Sequence, residues 1–314
     1  MIKMIKNLLN EMISHRDRGA VVPISRIEDL KQDMYDLKGG DFHTGYIDGM
    51  AGSTDYFIPH NLDFDPSSII LAVRPSPKVI LKFNYRGKIF DCIVPPPTVN
   101  EHLNAVEILK YINGYLKPRG FKAAGAGSLP QKLLAVHCGL GKYGRNNLFY
   151  DNEFGSYVQL LSYVSDMPCD ENITEKEWFP PRRMEACEDC LACVKSCPTK
   201  SIDPDRRIIN AEICLSSINA MREDFPDWLN KNAHNSILGC IACQDCCPGN
   251  ANHKDIMVER AEFTEDETLE LLNHKIGEPY RDSLIVKVEE EAGLSDWSSW
   301  KHLLPRNLAV LLQK

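Results

Sequence analysis

Hydrophobic and polar positions alternate with two different periods along the first half of the chain. Residues 1–14 carry apolar side chains at helical spacing, which predicts a short amphipathic helix. Residues 69–73 form an unbroken apolar run of the kind that a buried strand shows. Residues 79–85 and 88–94 alternate at strand period on either side of Arg86-Gly87, which predicts a β-hairpin.

Helical patterns follow the hairpin. Thr98 and Glu101 have capping-box spacing, and the apolar stripe behind them predicts a helix that ends near Pro118. A second capping box, Ser128 to Gln131, predicts a helix that reaches about Cys138. A glycine-rich turn then precedes a second apolar run over 157–164, which predicts another buried strand. Helices and strands in this order indicate an α+β fold.

The composition of the chain changes near Cys169. From that point to about residue 254 the sequence is rich in cysteine and proline and predicts only short elements. The remainder is acidic and predicts helices. We therefore divide the chain into three segments: an α/β domain over 1–168, a cysteine-rich module over 169–254 and a helical C-terminal segment over 255–314.

Composition limits the class of protein. Of the 314 residues, 43% are hydrophobic and 25% are charged, as in an ordinary globular protein. The net charge of −8 argues against a general nucleic-acid binder, although four arginines flank the first cysteine motif: Arg182, Arg183, Arg206 and Arg207. No apolar run reaches the roughly 18 residues of a membrane span, and no signal-peptide core is found. These features predict a cytoplasmic protein without a membrane partner, in which 12 cysteines serve as metal ligands rather than disulfides.

The cysteines form two arrays. The first is Cys187-x2-Cys190-x2-Cys193-x3-Cys197-Pro, the spacing with which ferredoxins bind 4Fe–4S clusters. In that pattern three cysteines hold one cluster, and the cysteine before proline holds the other. Zinc sites use paired cysteines rather than three at equal spacing, so the array favours iron and sulfur over zinc.

The second array, Cys240-x2-Cys243-x3-Cys247-Pro, lacks the cysteine that symmetry would place at position 250. Residue 250 is an asparagine. The simplest assignment gives Cys187, Cys190, Cys193 and Cys247 to one cluster. Cys197, Cys240 and Cys243 then take three positions of the other, and its fourth ligand is either Cys246 or Cys214.

The turn Gly139-x-Gly141-x-x-Gly144 has the spacing of a dinucleotide-binding loop. That motif needs a preceding strand and a following helix, whereas the residues before this turn predict a helix. We therefore favour a tight loop in which backbone approaches a large flat ligand.

Three features in this order resemble epoxyqueuosine reductases, and also reductive dehalogenases: residues 139–148, residues 155–157, and the two arrays with Cys214 between them. The resemblance covers roughly 128–252. It implies a nitroreductase-like α/β sandwich with a ferredoxin-like module of two 4Fe–4S clusters that reduce a bound cobalamin. It favours Cys214 as the missing ligand. The implied cofactor-binding residues are Gly139, Gly141, Tyr143, Gly144, Arg145, Asn146, Gly155 and Ser156.

The chain also departs from that family. The family's proton-donating aspartate would fall near Gly125, where no acid is present. Tyr143 is our candidate proton donor, ahead of Lys142, Arg145 and His137. Residues 304–309 resemble only a fragment of the family's helical repeat. The short chain and its acidic balance make tRNA the less favoured substrate and nucleic acid an unlikely partner.

The sequence thus predicts an iron–sulfur oxidoreductase that passes electrons through two clusters to cobalamin and reduces a small molecule. A reduced ferredoxin or flavodoxin is the expected electron donor. The alternative is an electron-transfer protein that re-reduces the corrinoid of a partner protein and has no substrate chemistry of its own.

Overall fold

The computed structural model describes residues 1–38, 57–170, 178–205, 208–221, 223–274, 278–294 and 300–313. Its helices are α1 (Ile2–Ser14), α2 (Arg26–Lys38), α3 (Glu101–Leu116), α4 (Gln131–His137), α5 (Ala192–Ser196), α6 (Leu215–Ala220), α7 (Ala242–Asp245), α8 (Glu265–Asn273), α9 (Asp282–Val286) and α10 (Trp300–Leu312). Its strands are β1 (Arg18–Pro23), β2 (Ser68–Pro75), β3 (Lys78–Tyr85), β4 (Lys88–Val94), β5 (Ala123–Gly125), β6 (Gly141–Tyr143), β7 (Phe149–Asp151), β8 (Val158–Ser165) and β9 (Met257–Phe263).

The chain folds into two compact units. The first contains residues 1–75, 103–190 and 206–208, and the second contains residues 76–102, 191–205 and 209–314. This division differs from the three predicted segments because the hairpin β3–β4 groups with the C-terminal residues. The fold is mixed α+β, as the sequence predicts.

The first unit is built on an antiparallel sheet of order β1-β2-β8-β5. β2 lies in its interior and is covered on both sides, which explains the unbroken apolar run. Ile69, Leu71 and Val73 belong to the core that includes α2 and α4. Ile70 and Ala72 point to the other core, with α1 and α3. A separate two-stranded ladder, β6–β7, carries the glycine-rich turn.

The second unit contains the sheet β4-β3-β9. The predicted hairpin is confirmed, with Arg86 and Gly87 at positive φ in its turn. The prediction that 255–314 is helical throughout is wrong, because β9 pairs in parallel with β3. The acidic composition of these residues favoured a helix prediction. Only Ala261 and Phe263 of the strand are buried. The Phe263 ring stacks on Phe83 with ring centroids 4.6 Å apart.

The predicted helices are confirmed in place but not always in detail. α1 and α3 begin and end close to the predicted residues. α4 begins at Gln131, but no side chain caps it, so the predicted Ser128 capping box does not form. Within the described ranges, no helix combines the length and the apolar composition that crossing a membrane requires.

Candidate iron–sulfur site

The cysteines lie on short helices and the turns beside them. Cys187 and Cys190 belong to the first unit, and the remaining array cysteines and Cys214 belong to the second. In the second unit Cys193 lies in α5 and Cys243 in α7. Cys214 and Cys240 come at or just before the start of short helical segments. Such short elements expose sulfur atoms and backbone N–H groups in one direction, as cluster ligation requires.

Cys197 is a buried thiol surrounded by hydrogen-bond donors. The Ser201 backbone N–H donates to its Sγ at 3.3 Å, and the hydroxyls of Ser201 and Thr199 lie 3.3 and 3.8 Å from the same atom. Burial raises the pKa of this thiol, but the hydrogen bonds outweigh burial and the net pKa lies below its usual value. A buried sulfur that is stabilised as a thiolate fits an iron ligand.

Cys240 has an equivalent donor and two sulfur neighbours. The Asn235 side-chain amide donates to its Sγ at 3.2 Å. Its pKa is raised, first by burial and further by the charges of Cys214 and Cys197, while the Asn235 hydrogen bond opposes the rise. These three sulfurs therefore lie close enough for their charges to interact. Cys246 packs in a cluster that also contains Cys193, Cys197 and Cys243.

Helix α10 holds the segments that carry two of these cysteines. The Asn307 amide is fully buried and donates to the carbonyl oxygens of Asn219 and Ile237, at 3.0 and 2.9 Å. The Asn219 side chain in turn donates to the Gly239 carbonyl at 2.7 Å. Gly239 directly precedes Cys240, and α6 directly follows Cys214. The fragment 304–309 thus fixes the two backbone segments next to these cysteines.

In the first unit, the glycine-rich turn pairs with the segment that leads into the first array. The Tyr143 N–H donates to the Arg182 carbonyl at 3.0 Å, and the Met184 N–H donates to the Tyr143 carbonyl at 2.8 Å. The buried Arg145 guanidinium donates to the carbonyl oxygens of Cys187 and Glu188. Tyr143 and Arg145 therefore position the start of the cysteine array.

The glycines of this turn lie close to other atoms of the protein. A Cβ on Gly139, whose φ is +70°, would lie 2.7 Å from the Phe179 ring. A Cβ on Gly141 would lie 2.0 Å from the Tyr150 carbonyl oxygen, and one on Gly144 would lie 2.5 Å from Asn146. The spaces beside these three glycines are thus filled by protein atoms. The surroundings of these glycines therefore give no structural support for a corrinoid site.

The other predicted cofactor-binding residues are also engaged within the unit. The Asn146 side chain donates to the Tyr150 hydroxyl at 2.9 Å. Gly155 adopts a φ of +59° and pairs with Asp151 through both backbone bonds. Ser156 is 4% exposed. Gly125, where the family's acid would fall, is exposed, and a Cβ there would meet nothing within 4 Å.

An acid–base pair lies beside the turn, and sequence reasoning did not find its acidic member. His137 Nε2 lies 2.6 Å from Asp33 Oδ2, and Nδ1 lies 2.6 Å from the Phe179 carbonyl oxygen. The pKa of Tyr143 is raised, first by burial and then by the charge of Asp33. No motif marks Asp33, because its partner lies 104 residues away.

We expect the Arg145 guanidinium to raise the reduction potential of the cluster that Cys187 ligates. A buried positive charge stabilises the reduced, more negative cluster. Arg145→Met should therefore lower that potential by on the order of 50 mV, measured by EPR-monitored redox titration. Lys142→Met is the matched control, since the exposed Lys142 pairs with Glu185 and is screened by solvent. Equal shifts in both variants would contradict the role of Arg145.

The comparisons with known proteins first define a class. Residues 186–250 match the family described as a 4Fe-4S double cluster binding domain. The chain is therefore an iron–sulfur protein with a double-cluster domain, and the prediction of two 4Fe–4S clusters is confirmed over the zinc alternative. Among the described residues, no three Cys, His, Asp or Glu side chains gather closely enough to hold a single metal ion.

Within that class, the chain is similar to epoxyqueuosine reductases, which are oxidoreductase enzymes. It is 30% identical over 127 residues to the enzyme of Listeria monocytogenes. The aligned segment covers 40% of this chain and 31% of that enzyme. It is 27% identical over 209 residues to that of Cyclobacterium marinum, covering 59% of this chain and 61% of the relative. The chain thus spans between about a third and three fifths of these two relatives.

Solved structures extend the likeness to the whole fold. The epoxyqueuosine reductase of Bacillus subtilis, with its catalytic aspartate loop swung out of the active site, superimposes with a TM-score of 0.64. The alignment covers 99% of this chain and 81% of that structure at 18% identity, so it establishes the fold alone. Two solved structures of a reductive dehalogenase superimpose with TM-scores of 0.39 and 0.40, which support no statement about chemistry.

The expectation that nucleic acid is an unlikely partner is contradicted. One similar structure is an epoxyqueuosine reductase with an epoxyqueuosine-modified tRNA-Tyr stem loop, which matches 98% of this chain with a TM-score of 0.62 and 19% identity. The prediction used the net charge of the whole chain, whereas nucleic-acid binding depends on the charge of the surface that makes the contact. Arg182 is exposed beside the turn. Arg206 and Arg207 lie outside the described residues.

Proposed function

We propose that this chain is an iron–sulfur oxidoreductase that reduces the epoxide of a modified nucleoside in a tRNA stem loop. The observation that carries the proposal is the backbone pairing between the glycine-rich turn and residues 182–184. It joins the segment with the family-like motif directly to the start of the double-cluster domain. The exposed Arg182 at this pairing offers a positive charge to a phosphate backbone.

The proposed ligands follow the spacing and the sulfur neighbours. Cys187, Cys190, Cys193 and Cys247 hold one cluster, and Cys197, Cys214, Cys240 and Cys243 hold the other. The family resemblance favours Cys214 over Cys246, and the charge of Cys214 is one cause of the raised pKa of Cys240. When bound, such clusters accept and release single electrons. Ser201 and Asn235 donate hydrogen bonds to the ligand sulfurs and so favour the reduced state.

Cobalamin and a nitroreductase-like ancestry of the first unit rest on the family resemblance. The proposed corrinoid site comprises the turn 139–146 with Gly155 and Ser156. Those glycines pack against protein atoms, so their spacing does not by itself support a corrinoid site. Tyr143 keeps its predicted place as a candidate proton donor, although its raised pKa makes the phenol a weaker acid.

Cobalamin binding is tested by incubating the anaerobically reconstituted protein with cobalamin, desalting it and recording its spectrum. A corrinoid band that remains with the protein and changes on reduction would support the cofactor that the family resemblance implies. Complete loss of that band while the broad cluster absorption stays intact would show that this chain holds no corrinoid.

The substrate is tested by supplying dithionite-reduced protein with tRNA that carries epoxyqueuosine, followed by nucleoside mass spectrometry. We expect loss of one oxygen atom from the modified nucleoside, about 16 mass units. The free nucleoside at the same concentration is the control and should react far more slowly, because remote contacts with the stem loop supply binding energy. A nucleoside that stays unchanged in tRNA would contradict the proposal.

A further inference from the structure

We propose that Asp33, held by His137, donates a proton to the substrate oxygen. This inference rests on the proposed function and names a residue in the place of the acid that is missing near Gly125. Asp33 lies on α2 and His137 at the end of α4, both in the first unit. The two side chains meet beside the turn that carries Tyr143.

Hydrogen-bond chemistry requires one proton between the two side chains. A backbone carbonyl only accepts, so His137 Nδ1 must donate to Phe179 at 2.6 Å. The remaining ring nitrogen, Nε2, lies 2.6 Å from Asp33 Oδ2. A neutral ring facing an ionised carboxylate would bring two lone pairs together. The proton therefore resides either on Nε2 or on the Asp33 carboxyl.

The surroundings fix the ring and leave the carboxyl accessible. The His137 side chain is 6% exposed and that of Asp33 is 32% exposed. The Trp178 ring stacks on His137 with centroids 4.3 Å apart, and the Arg26 guanidinium lies 5.2 Å from the centre of the Trp178 ring. The Phe179 N–H also donates to the His137 carbonyl at 2.8 Å. The histidine cannot turn away, so the proton can leave only on the Asp33 side.

Other charged groups nearby are less suited to donate. Arg26 is engaged with Asp29 at 2.9 Å on the same helix. The pKa of Tyr143 is raised by burial and by Asp33, so the phenol gives up its proton less readily. The Asp33 carboxyl is hydrogen-bonded to the imidazole and partly exposed, so it can pass a proton to a substrate and receive one from solvent.

The proposed step balances as follows. Removing an epoxide oxygen as water, with a carbon–carbon double bond left behind, consumes two electrons and two protons. When bound, the two clusters would supply the electrons one at a time. Asp33 supplies one proton to the oxygen as its carbon–oxygen bond breaks, and solvent supplies the second. Solvent then reprotonates the pair through the exposed side of Asp33.

The test compares Asp33→Asn with Asp36→Asn in cluster-reconstituted protein. Asp36 is an exposed carboxylate on the same helix that accepts from Gln32 at 2.8 Å. We expect Asp33→Asn to lower the rate of epoxide reduction about 100-fold or more. Asp36→Asn should retain the wild-type rate. Asp33→Glu should restore part of the rate, which separates chemistry from misfolding.

A second readout does not depend on turnover. Nitrogen-15 NMR of labelled His137, with the clusters oxidised, should show both ring nitrogens sharing protons in the wild type. In D33N only Nδ1 should remain protonated. A wild-type rate and an unchanged His137 spectrum in D33N would overturn this inference and leave the proposed function standing. Absence of product from the wild-type protein would overturn the proposed function instead.

Discussion

Replacing Cys214 with alanine should remove one of the two clusters, whereas replacing Cys246 with alanine should leave both. Reconstituted wild-type protein should contain about eight iron atoms per chain, and Cys214→Ala about four, or a converted three-iron cluster visible by EPR. The reason is the family resemblance, which favours Cys214 as the missing ligand, and the charge of Cys214 is among the causes that raise the pKa of Cys240.

Cys246 is a matched control for that experiment. It is a partly buried cysteine in the same module, and it packs in the cluster that contains Cys193, Cys197 and Cys243. Iron analysis and EPR of both variants decide the ligand. Loss of a cluster from Cys246→Ala with full iron in Cys214→Ala would reverse the assignment.

Replacing Asn307 with alanine should destabilise the second unit and loosen one cluster. The change leaves the buried carbonyl of Ile237 without its donor, and the Asn219 carbonyl keeps only the 3.2 Å bond from Arg306. This loss costs about 1–3 kcal/mol in the free energy of unfolding. The affected backbone lies next to Cys214 and Cys240, so iron should also be released faster to a chelator.

Gln313→Ala provides the control for Asn307, because it removes an exposed amide just after the end of the same helix. Urea unfolding of both holo variants, together with the rate of iron release, makes the comparison. An Asn307→Ala variant within about 0.5 kcal/mol of wild type, and with normal iron release, would show that α10 does not support the cysteine segments.

Local chemistry made part of this molecule predictable. The hairpin over 78–94 follows from two alternating runs around Arg86-Gly87, and both turn residues adopt positive φ. The cluster domain follows from cysteine spacing, because covalent distance along the chain limits which sulfurs can share a cube. The buried strand β2 was recognisable because both of its faces are covered.

Long-range partners were not predictable in the same way. β9 contains three charged residues, Glu259, Arg260 and Glu262, and joins a strand some 180 residues earlier in the chain, so its composition suggested a helix. Asp33 belongs to no motif and acquires its partner only through the packing of α2 against the core. Residues 306–307 resembled a repeat fragment, while their hydrogen bonds to 218, 219 and 237 depend on the tertiary fold.

The expectation that nucleic acid is an unlikely partner was the weakest prediction, because net charge averages over the whole surface. The total of −8 describes the chain, whereas a stem loop would contact only one face. The correction came from the shared fold with a tRNA-bound enzyme. The glycine spacing also did not identify a ligand site, because the glycines of 139–144 face Phe179, Tyr150 and Asn146.

The most direct test of the central claim measures cluster oxidation and nucleoside reduction in the same samples. Protein with both clusters reduced, and freed of excess reductant, is mixed with tRNA that carries epoxyqueuosine, and samples are frozen for EPR and digested for nucleoside analysis. We predict that the reduced-cluster signal disappears in step with product, with two electrons lost per oxygen removed. Clusters that stay reduced beside an unchanged nucleoside would contradict the account.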